Sequence, residues 1–148
     1  MNKSKEEIME YDTLKLENQL CFPLYSASRE VIKKYRPYLD EIGLTYTQYI
    51  TMMAVWEEKE ITVKALGEKL FLDSGTMTPV LKSLEQKGFL ARNRSEADER
   101  SVLVKLTENG EALKEKAKEI PLKIAGCVGL EREEAVQLYK LLYKILGK

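Results

Sequence analysis

The hydrophobic positions in the middle of the chain follow the spacing of two short helices. Between residues 63 and 70 they recur every three to four residues, and Thr62 precedes them as an N-cap. A second helix is predicted over Gly75–Lys87, with Ser74 as its N-cap and Gly88 as the residue that ends it. The few residues between the two patterns leave room only for a tight turn.

The chain then changes from helical spacing to the alternation of strands. Phe89–Arg94 and Ser101–Leu106 are predicted as a hairpin with a polar, charged loop, and Ile61 is placed to add a brief third strand. Two short helices, a tight turn and a hairpin follow one another in the order of a winged helix-turn-helix. The predicted fold class is therefore mainly α (α+β), with the hairpin as the wing.

Longer helical patterns precede this unit. Apolar residues at helical spacing predict a helix from Asp12 to Tyr35, with a kink at Pro23 and an end at Pro37. A capping box at Thr45–Gln48 begins the next helix, Tyr46–Lys59. The first helix, about 36 Å long if straight, exceeds what a small winged unit needs. Its surplus surface predicts a dimer interface.

A further long pattern follows the wing. Thr107 caps a charged helix that Pro121 interrupts and that continues to Cys127. A last amphipathic helix is predicted over residues 131–146, with its apolar side chains on one face. The sequence contains no repeat and no low-complexity linker, so these helices continue the same body.

Composition excludes several classes of protein. The chain has 24 basic and 24 acidic residues and no histidine, so a nucleic-acid surface must be local, and histidine-based catalytic and zinc sites are absent. No apolar run approaches the roughly 20 residues that span a bilayer, and the N-terminus lacks the apolar stretch of a secretory signal. We therefore expect a cytoplasmic protein without metal or cofactor, whose cysteines stay reduced at rest.

The second short helix and the wing carry the side chains that a DNA groove requires. The helix begins with small and hydroxylated residues, and arginines flank the wing loop. Capped helices and charged hairpins also occur where they only face water, so the pattern alone leaves both interpretations open. The candidate contacts are Ser74, Gly75, Thr76, Thr78, Pro79, Lys82, Arg92, Arg94, Asp98 and Arg100.

Cys21 lies in the first long helical pattern, among aromatic residues. A single cysteine in a helix is more often a small buried core residue than a reactive one. Tyr25 and Tyr35 follow it at near-integral numbers of helical turns, so the three side chains share roughly one side. A phenol that donates a hydrogen bond to sulfur favours the thiolate, and a reactive Cys21 is therefore the alternative.

Two runs of the sequence resemble a known family. Leu72–Gly110, which contains an Asp-Glu-Arg triplet at residues 98–100, is similar to the DNA-binding core of the MarR family of bacterial repressors. Leu16–Tyr46 resembles the branch of that family that senses organic hydroperoxides. The resemblance extends from about Leu14 to the C-terminus. It implies a homodimer on a pseudo-palindromic operator, with one recognition helix in each of two major grooves.

The resemblance also assigns roles to single residues. The counterparts of the peroxide-reactive cysteine and of the tyrosines around it, partly from the partner protomer, are Cys21, Tyr25, Tyr35 and Tyr46. Pro23 departs from the pattern of the branch. On the DNA side the resemblance implies that Arg100 enters the minor groove, held in position by Asp98. It divides one expected domain, residues 1–148, into a winged core, about 46–106, and dimerisation helices, about 12–45 and 107–148.

The sequence thus predicts a homodimeric repressor, not an enzyme, that senses organic hydroperoxides by oxidation of Cys21 and then releases its operator. One alternative keeps the fold but releases DNA through a small aromatic ligand. Another is a thiol peroxidase, against which stands the lack of an alternating βαβ pattern. Cys127 stays open as an apolar helix residue or as the thiol that resolves oxidised Cys21 in an intersubunit disulfide, as a second cysteine does in some members of the branch.

Overall fold

The computed structural model describes residues 11–148. We expect no secretory signal at the N-terminus, and the residues that this expectation concerns lie almost wholly outside the described range. Two 3₁₀ turns come first, at Asp12–Leu14 and Leu16–Asn18. The elements that follow are α1 (Cys21–Glu41), α2 (Tyr46–Glu58), β1 (Glu60–Thr62), α3 (Val63–Leu70), α4 (Ser74–Gln86), β2 (Leu90–Arg94), β3 (Val102–Leu106), α5 (Glu108–Ala117), α6 (Ile120–Ala125) and α7 (Arg132–Ile145).

The three strands form an antiparallel sheet in which β3 is central. β1 pairs with β3 at Ile61 and Val104, and β2 pairs with β3 at Arg92 and Val104. β2 and β3 are the predicted hairpin, and the brief strand predicted at Ile61 is confirmed. The sheet fastens the wing to the corner between α2 and α3, which confirms the winged helix-turn-helix.

The hydrophobic core lies around α2. Met52 and Val55 of this helix are fully buried and belong to one cluster with side chains of α3, α4, the sheet, α5 and α6. The indole nitrogen of Trp56 donates a 2.8 Å hydrogen bond to the carbonyl of Gly110 in α5. A Cβ on Gly110 would lie 2.0 Å from the carbonyl oxygen of Phe89, so only glycine allows this approach. α2 is thus joined to the winged unit and to α5.

Local signals predicted most helix ends correctly. The side chains of Thr62 and Thr107 each accept a hydrogen bond from the backbone N–H three residues on. Thr45 and Gln48 form the predicted capping box at the start of α2. Gly88 follows α4 with a φ of 77°, as expected for a glycine that ends a helix.

The predicted N-cap of α4 is wrong by one residue. Asp73, not Ser74, caps the helix, and its Oδ1 accepts a hydrogen bond from the backbone N–H of Thr76 at 2.8 Å. The second carboxylate oxygen accepts from the Thr76 hydroxyl at 3.2 Å, a contact for which a serine has no second oxygen. The helix therefore spans Ser74–Gln86 rather than Gly75–Lys87.

The predicted bounds of the first long helix are also wrong. α1 begins at Cys21, not at Asp12, and it continues through Pro37 before it ends. Pro23 lies in the first turn of α1, where a backbone N–H has no helical partner in any case, so it is compatible with the helix start. Gly43, with a φ of 68°, follows the end of α1.

The predicted break at Pro121 is confirmed. α5 ends at Ala117, Pro121 lies in the first turn of α6, and α6 ends at Ala125. The predicted continuation of the helix to Cys127 is wrong, because Cys127 comes after the last turn. α7 buries none of its residues in this chain. Among residues 11–148 no helix combines the length and the apolar character that crossing a membrane requires.

The close approach at Gly110 generates a stability prediction. We expect Gly110→Ala to lower the free energy of unfolding by at least about 1–3 kcal/mol, because the backbone of Phe89 must move away from the new methyl group. Gly126→Ala is the matched control, since a Cβ there has its nearest neighbour at 4.0 Å. Urea unfolding followed by circular dichroism measures both variants. Equal stability of the two would contradict the packing described at Gly110.

Candidate nucleic-acid interface and thiol site

The N-terminal end of α4 faces away from the core. Its buried side chains are Met77, Leu81 and Leu84, and Thr78 and Lys82 between them are exposed. Thr78 Oγ1 donates to the carbonyl of Ser74 at 2.8 Å, whereas the Ser74 hydroxyl has no hydrogen-bond partner among residues 11–148. The exposed candidates on this helix are Ser74, Gly75, Thr76, Thr78, Pro79 and Lys82.

A tight turn between α3 and α4 sets the direction of α4. The backbone N–H of Leu72 donates to the carbonyl of Gly67 at 2.9 Å. A Cβ on Gly67 would lie 2.8 Å from the carbonyl oxygen of Leu72, so a larger residue would open the turn. Phe71 has a φ of 55°, in the left-handed region that few side chains adopt. The turn is thus held in a narrow range of geometry.

The tip of the wing is shaped by Asp98. Its Oδ1 accepts from the backbone N–H of Arg100 at 3.0 Å, and its Oδ2 accepts from the Ser101 hydroxyl at 2.9 Å. The hydrogen bond from the Arg100 N–H, together with that from Ser101, holds the pKa of the Asp98 carboxyl below its usual value. Asp98 therefore fixes the backbone at Arg100, and the exposed Arg100 side chain has no ion pair among residues 11–148.

The Arg92 side chain forms an ion pair with Glu85 of the same chain. Its Nε and Nη2 donate to Glu85 Oε2 at 3.1 and 2.7 Å, and its backbone N–H donates to Glu85 Oε1 at 3.2 Å. The Arg92 side chain lowers the pKa of the Glu85 carboxyl. The pair joins the start of the wing to the second half of α4. The predicted DNA contact of Arg92 stays a prediction, and Glu85 is a partner that no local sequence pattern indicated.

An open groove of about 900 Å³ lies between the wing and helices α3 and α4. Phe71, Met77 and Leu81 contribute apolar surface to it, and Arg92 and Arg100 contribute positive charge. Glu68 and Asp73 line it as well, so the groove combines apolar walls with charged groups of both signs, directly beside the exposed end of α4.

Cys21 is the first residue of α1, and its side chain is exposed. Within the described residues 11–148, no hydrogen bond reaches its sulfur. Tyr25, one turn further on, is also exposed, and its hydroxyl accepts from Arg29 Nη1 at 3.2 Å. The thiol and the first candidate tyrosine thus lie together on an uncovered part of α1.

The other two candidate tyrosines lie away from Cys21, with Tyr35 in the second half of α1 and Tyr46 as the first residue of α2. The Tyr35 ring meets the Tyr46 ring edge-on at 4.9 Å, and it lies 5.9 Å from the ring of Tyr49. Burial raises the pKa of Tyr35 and Tyr46, and burial followed by the two neighbouring phenols raises that of Tyr49 to about 12. Fourteen residues of helix separate Tyr35 from Cys21 by about 21 Å, so one chain does not bring them together.

Cys127 lies on a different part of the chain. It follows α6, its side chain is exposed, and its Sγ donates to the carbonyl of Lys123 at 3.2 Å. Apolar side chains of α7 and of the segment before Cys21 are exposed as well. The most exposed of them are Tyr11, Leu14, Leu20, Tyr139 and Ile145.

Comparison with known proteins bears on this arrangement. Residues 33–117 match the family model described as transcriptional regulator SarA/Rot. The chain is 53% identical over 136 residues to the organic hydroperoxide resistance transcriptional regulator of Bacillus subtilis strain 168, and the match covers 92% of each chain.

Solved structures of similar proteins have the same fold. Reduced AbfR bound to DNA is 36% identical, with a TM-score of 0.76 and coverage of 94% of this chain and 96% of that chain. AbfR comes from Staphylococcus epidermidis, and its disulfide-formed structure is 34% identical, with a TM-score of 0.64 and coverage of 95% and 98%. A cysteine-to-serine mutant of E. coli MarR in complex with operator DNA is 25% identical, with a TM-score of 0.76 and coverage of 95% and 96%.

The match to the family model covers more than half of the chain, and the Bacillus relative shares its sequence over nearly the whole length. The exposed end of α4, the tight turn before it and the wing are the parts that this architecture uses on DNA. The chain therefore belongs to the MarR-type family of winged helix-turn-helix, DNA-binding transcriptional regulators, in the branch of the organic hydroperoxide resistance regulator.

Proposed function

We propose that the protein is a homodimeric repressor that senses organic hydroperoxides through Cys21 and then leaves its operator. The observation that carries the proposal is the separation of an exposed thiol at the start of α1 from a partly buried tyrosine cluster near the other end of that helix. A second copy of the chain, with its α1 running the opposite way, would bring Tyr35 and Tyr46 of one protomer near Cys21 of the other. The 53% identity to a regulator of organic hydroperoxide resistance supports the same interpretation.

The exposed apolar side chains support a dimer. Leu20 is 80% exposed, and Tyr139 and Ile145 of α7 are 62% and 64% exposed. Large apolar side chains that cluster at the surface mark a protein interface. In the proposed dimer, residues 12–45 and 107–148 cover one another between protomers, and residues 46–106 form the winged core that meets DNA.

The proposed chemistry is one oxidation of Cys21. The thiolate sulfur attacks the terminal oxygen of the hydroperoxide, the O–O bond breaks, and the alkoxide leaves and takes up a proton as an alcohol. The sulfur is oxidised to a sulfenic acid and the hydroperoxide is reduced. Leu20, Phe22 and Leu24 line this part of the chain, and their apolar surface would favour an organic over an inorganic peroxide.

Oxidation would act on DNA binding through packing. A closely packed dimer interface has no space for an added oxygen, so the helices around Cys21 must shift. The two α4 helices must lie about one turn of DNA apart to enter successive major grooves, and a shift of their separation lowers affinity. The proposed contacts are those of the α4 end and Lys82, with Arg94 and Arg100 on the wing, and Asp98 acting through the backbone of Arg100.

A second candidate is release by a small aromatic ligand. The observation that favours it is the groove of about 900 Å³ beside α4, with its apolar walls and its arginines. An aromatic carboxylate fits that chemistry. In this case Cys21 has no part in release, and the response of a Cys21 variant separates the two candidates.

The wing assignment generates a prediction for Arg100. Arg100→Ala should weaken operator binding about 5- to 150-fold, since it removes one cationic contact from the minor groove. Arg36→Ala is the charge-matched control, because Arg36 is exposed on α1, away from the wing. Fluorescence anisotropy measures both affinities, and footprinting should show two half-sites about 10 bp apart. An Arg100 variant that binds like the control would remove the wing from the interface.

The sensor assignment generates a prediction for Cys21. Cys21→Ser should keep the operator affinity of the reduced protein and remain bound after treatment with cumene hydroperoxide, because its hydroxyl is not oxidised. Cys127→Ser is the control thiol, and it should still release DNA when Cys21 is oxidised. Electrophoretic mobility shift before and after peroxide gives the answer. Release of the Cys21 variant by peroxide would favour another site.

Cys127 generates a prediction about the oxidised state. We propose that the Cys127 thiol of one protomer attacks the Cys21 sulfenic acid of the other, so that an intersubunit disulfide forms and water leaves. The disulfide-formed structure of AbfR supports such a step in a relative. The two Cα atoms must approach within about 7 Å, which requires movement of the terminal helices.

Non-reducing electrophoresis after one equivalent of cumene hydroperoxide tests the disulfide. The expected result is a cross-linked dimer that is absent from Cys127→Ser and from Cys21→Ser. A wild-type chain that stays monomeric on the gel and forms a mixed disulfide with an added small thiol would make this a one-cysteine sensor.

A further inference from the structure

A buried polar contact joins α4 to the corner between α1 and α2. The described residues 11–148 bury two polar side chains, Gln48 and Thr51. Thr51 Oγ1 donates to the carbonyl of Thr47, within its own helix. Gln48 instead reaches across to α4, where its Nε2 donates to Ser83 Oγ at 3.0 Å. The two helices are therefore connected by a directional bond as well as by apolar packing.

Lys87, the residue that follows α4, adds a second connection. Its Nζ donates to Gln48 Oε1 at 3.0 Å and to the carbonyl of Gly43 at 2.5 Å. Gly43 follows the end of α1, and Gln48 belongs to the first turn of α2. One ammonium group at the end of α4 thus contacts both the loop that follows α1 and the first turn of α2.

The side chain of Gln48 does more than cap its own helix. Its Oε1 accepts from the backbone N–H of Thr45 at 3.1 Å, which is the bond that a capping box needs. The bonds to Ser83 and Lys87 are additional to the cap. They use the second lone pair of the oxygen and a donor of the amide, so that the buried amide is satisfied from three directions.

We propose that Gln48, Ser83 and Lys87 are positioning residues for operator binding, which fix the angle of α4 against α1. Apolar packing has no preferred direction, so it permits α4 to tilt or slide on α2, whereas these partly buried hydrogen bonds to the buried Gln48 select one arrangement. The inference rests on the proposed dimer, because the angle of α4 matters for DNA through the separation of two recognition helices. It does not depend on the oxidation of Cys21.

Because α1 is long, a small tilt at its Cys21 end would displace the contact at its other end. α1 has 21 residues and is about 31 Å long, with Cys21 at one end and the contact at the other. A tilt of α1 that starts at the interface around Cys21 reaches α4 through Gly43 and Lys87. The same contact that positions α4 for DNA is therefore the route by which a shift of α1 changes that position.

The double variant Ser83→Ala/Lys87→Met tests the role, because it removes the two bonds to the Gln48 amide, and with them the bond from Lys87 to Gly43, and leaves the capping box in place. The probes are the duplex that the wild-type dimer selects from random DNA, and two versions with one base pair inserted or deleted between the half-sites. The wild type should prefer the selected spacing. The variant should bind that duplex roughly tenfold more weakly, as expected for one or two lost hydrogen bonds, and bind all three duplexes almost equally.

Three single variants separate positioning from capping. Thr45→Ala removes the hydroxyl that caps α2, and it should lower the thermal midpoint while keeping the preference for spacing. Gln48→Met removes every bond of the amide at similar volume and should lose the preference. Gln48→Glu should restore it, because a carboxylate accepts from Thr45 and Lys87, and the Ser83 hydroxyl can turn to donate to it.

Two results would overturn the inference. If the double variant keeps both the affinity and the preference for spacing, the contact only stabilises the fold. If it loses affinity but keeps the preference, and the salt dependence of binding falls by about one phosphate contact, Lys87 binds DNA directly. A wild type with no preference for spacing would instead contradict the proposed dimer, and the inference would fail with it.

Discussion

The hydrogen bond from the Trp56 indole to the Gly110 carbonyl is the interaction on which the rest of the structure depends. It lies in the core, and it holds α2 against the first turn of α5 at a point where only a glycine fits. On one side of this bond lie the helices and strands of the winged unit. On the other side the chain leads into α5, α6 and α7. The bond thus fixes the winged unit to the part of the chain that ends in α7, whose apolar side chains are exposed.

The two halves differ in how many of their apolar side chains each leaves exposed to solvent. The winged unit buries most of its apolar side chains in one cluster, and the side chains that it leaves outside are mainly polar and charged, with Met53, Phe71 and Val102 as the large apolar exceptions. α7 and the start of α1 leave their apolar side chains uncovered. In the proposed dimer, the winged unit is the surface that meets DNA, and the exposed apolar side chains of α7 and the start of α1 are the surface that a second copy would cover. The exposed thiol of Cys21 lies on the second of these surfaces.

The sequence predicted what local chemistry decides. The caps at Thr45, Thr62 and Thr107 and the helix end at Gly88 depend on residues within one helical turn, and all are confirmed. The start of α1 was predicted wrongly, because a proline is compatible with a first turn and disruptive in a helix interior, and apolar spacing alone did not distinguish these positions.

The candidate site shows the same division between near and distant contacts. The exposed end of α4 and the wing arginines followed from residue type and order, and the bond from Asp98 to the Arg100 backbone spans two residues. The partner of Arg92 is seven residues away across a turn, and Ser83 is 35 residues from Gln48. No periodicity in the sequence relates such residues, since only the packed chain brings them together. Cys21 and Tyr35 lie on roughly the same side of α1. The length of helix between them nevertheless keeps them apart within one chain.

The uncovered state of α7 has a consequence for the order in which the molecule is made. Every side chain of the core cluster, up to Ile124, precedes α7 in the chain. Because synthesis proceeds from the N-terminus, the winged unit has all of its core residues before α7 is complete. Folding of each chain therefore does not wait for its last helix, whereas pairing in the proposed dimer would. Assembly of that dimer would then depend on the concentration of finished chains, so the amount of paired protein would rise more steeply than the rate of synthesis.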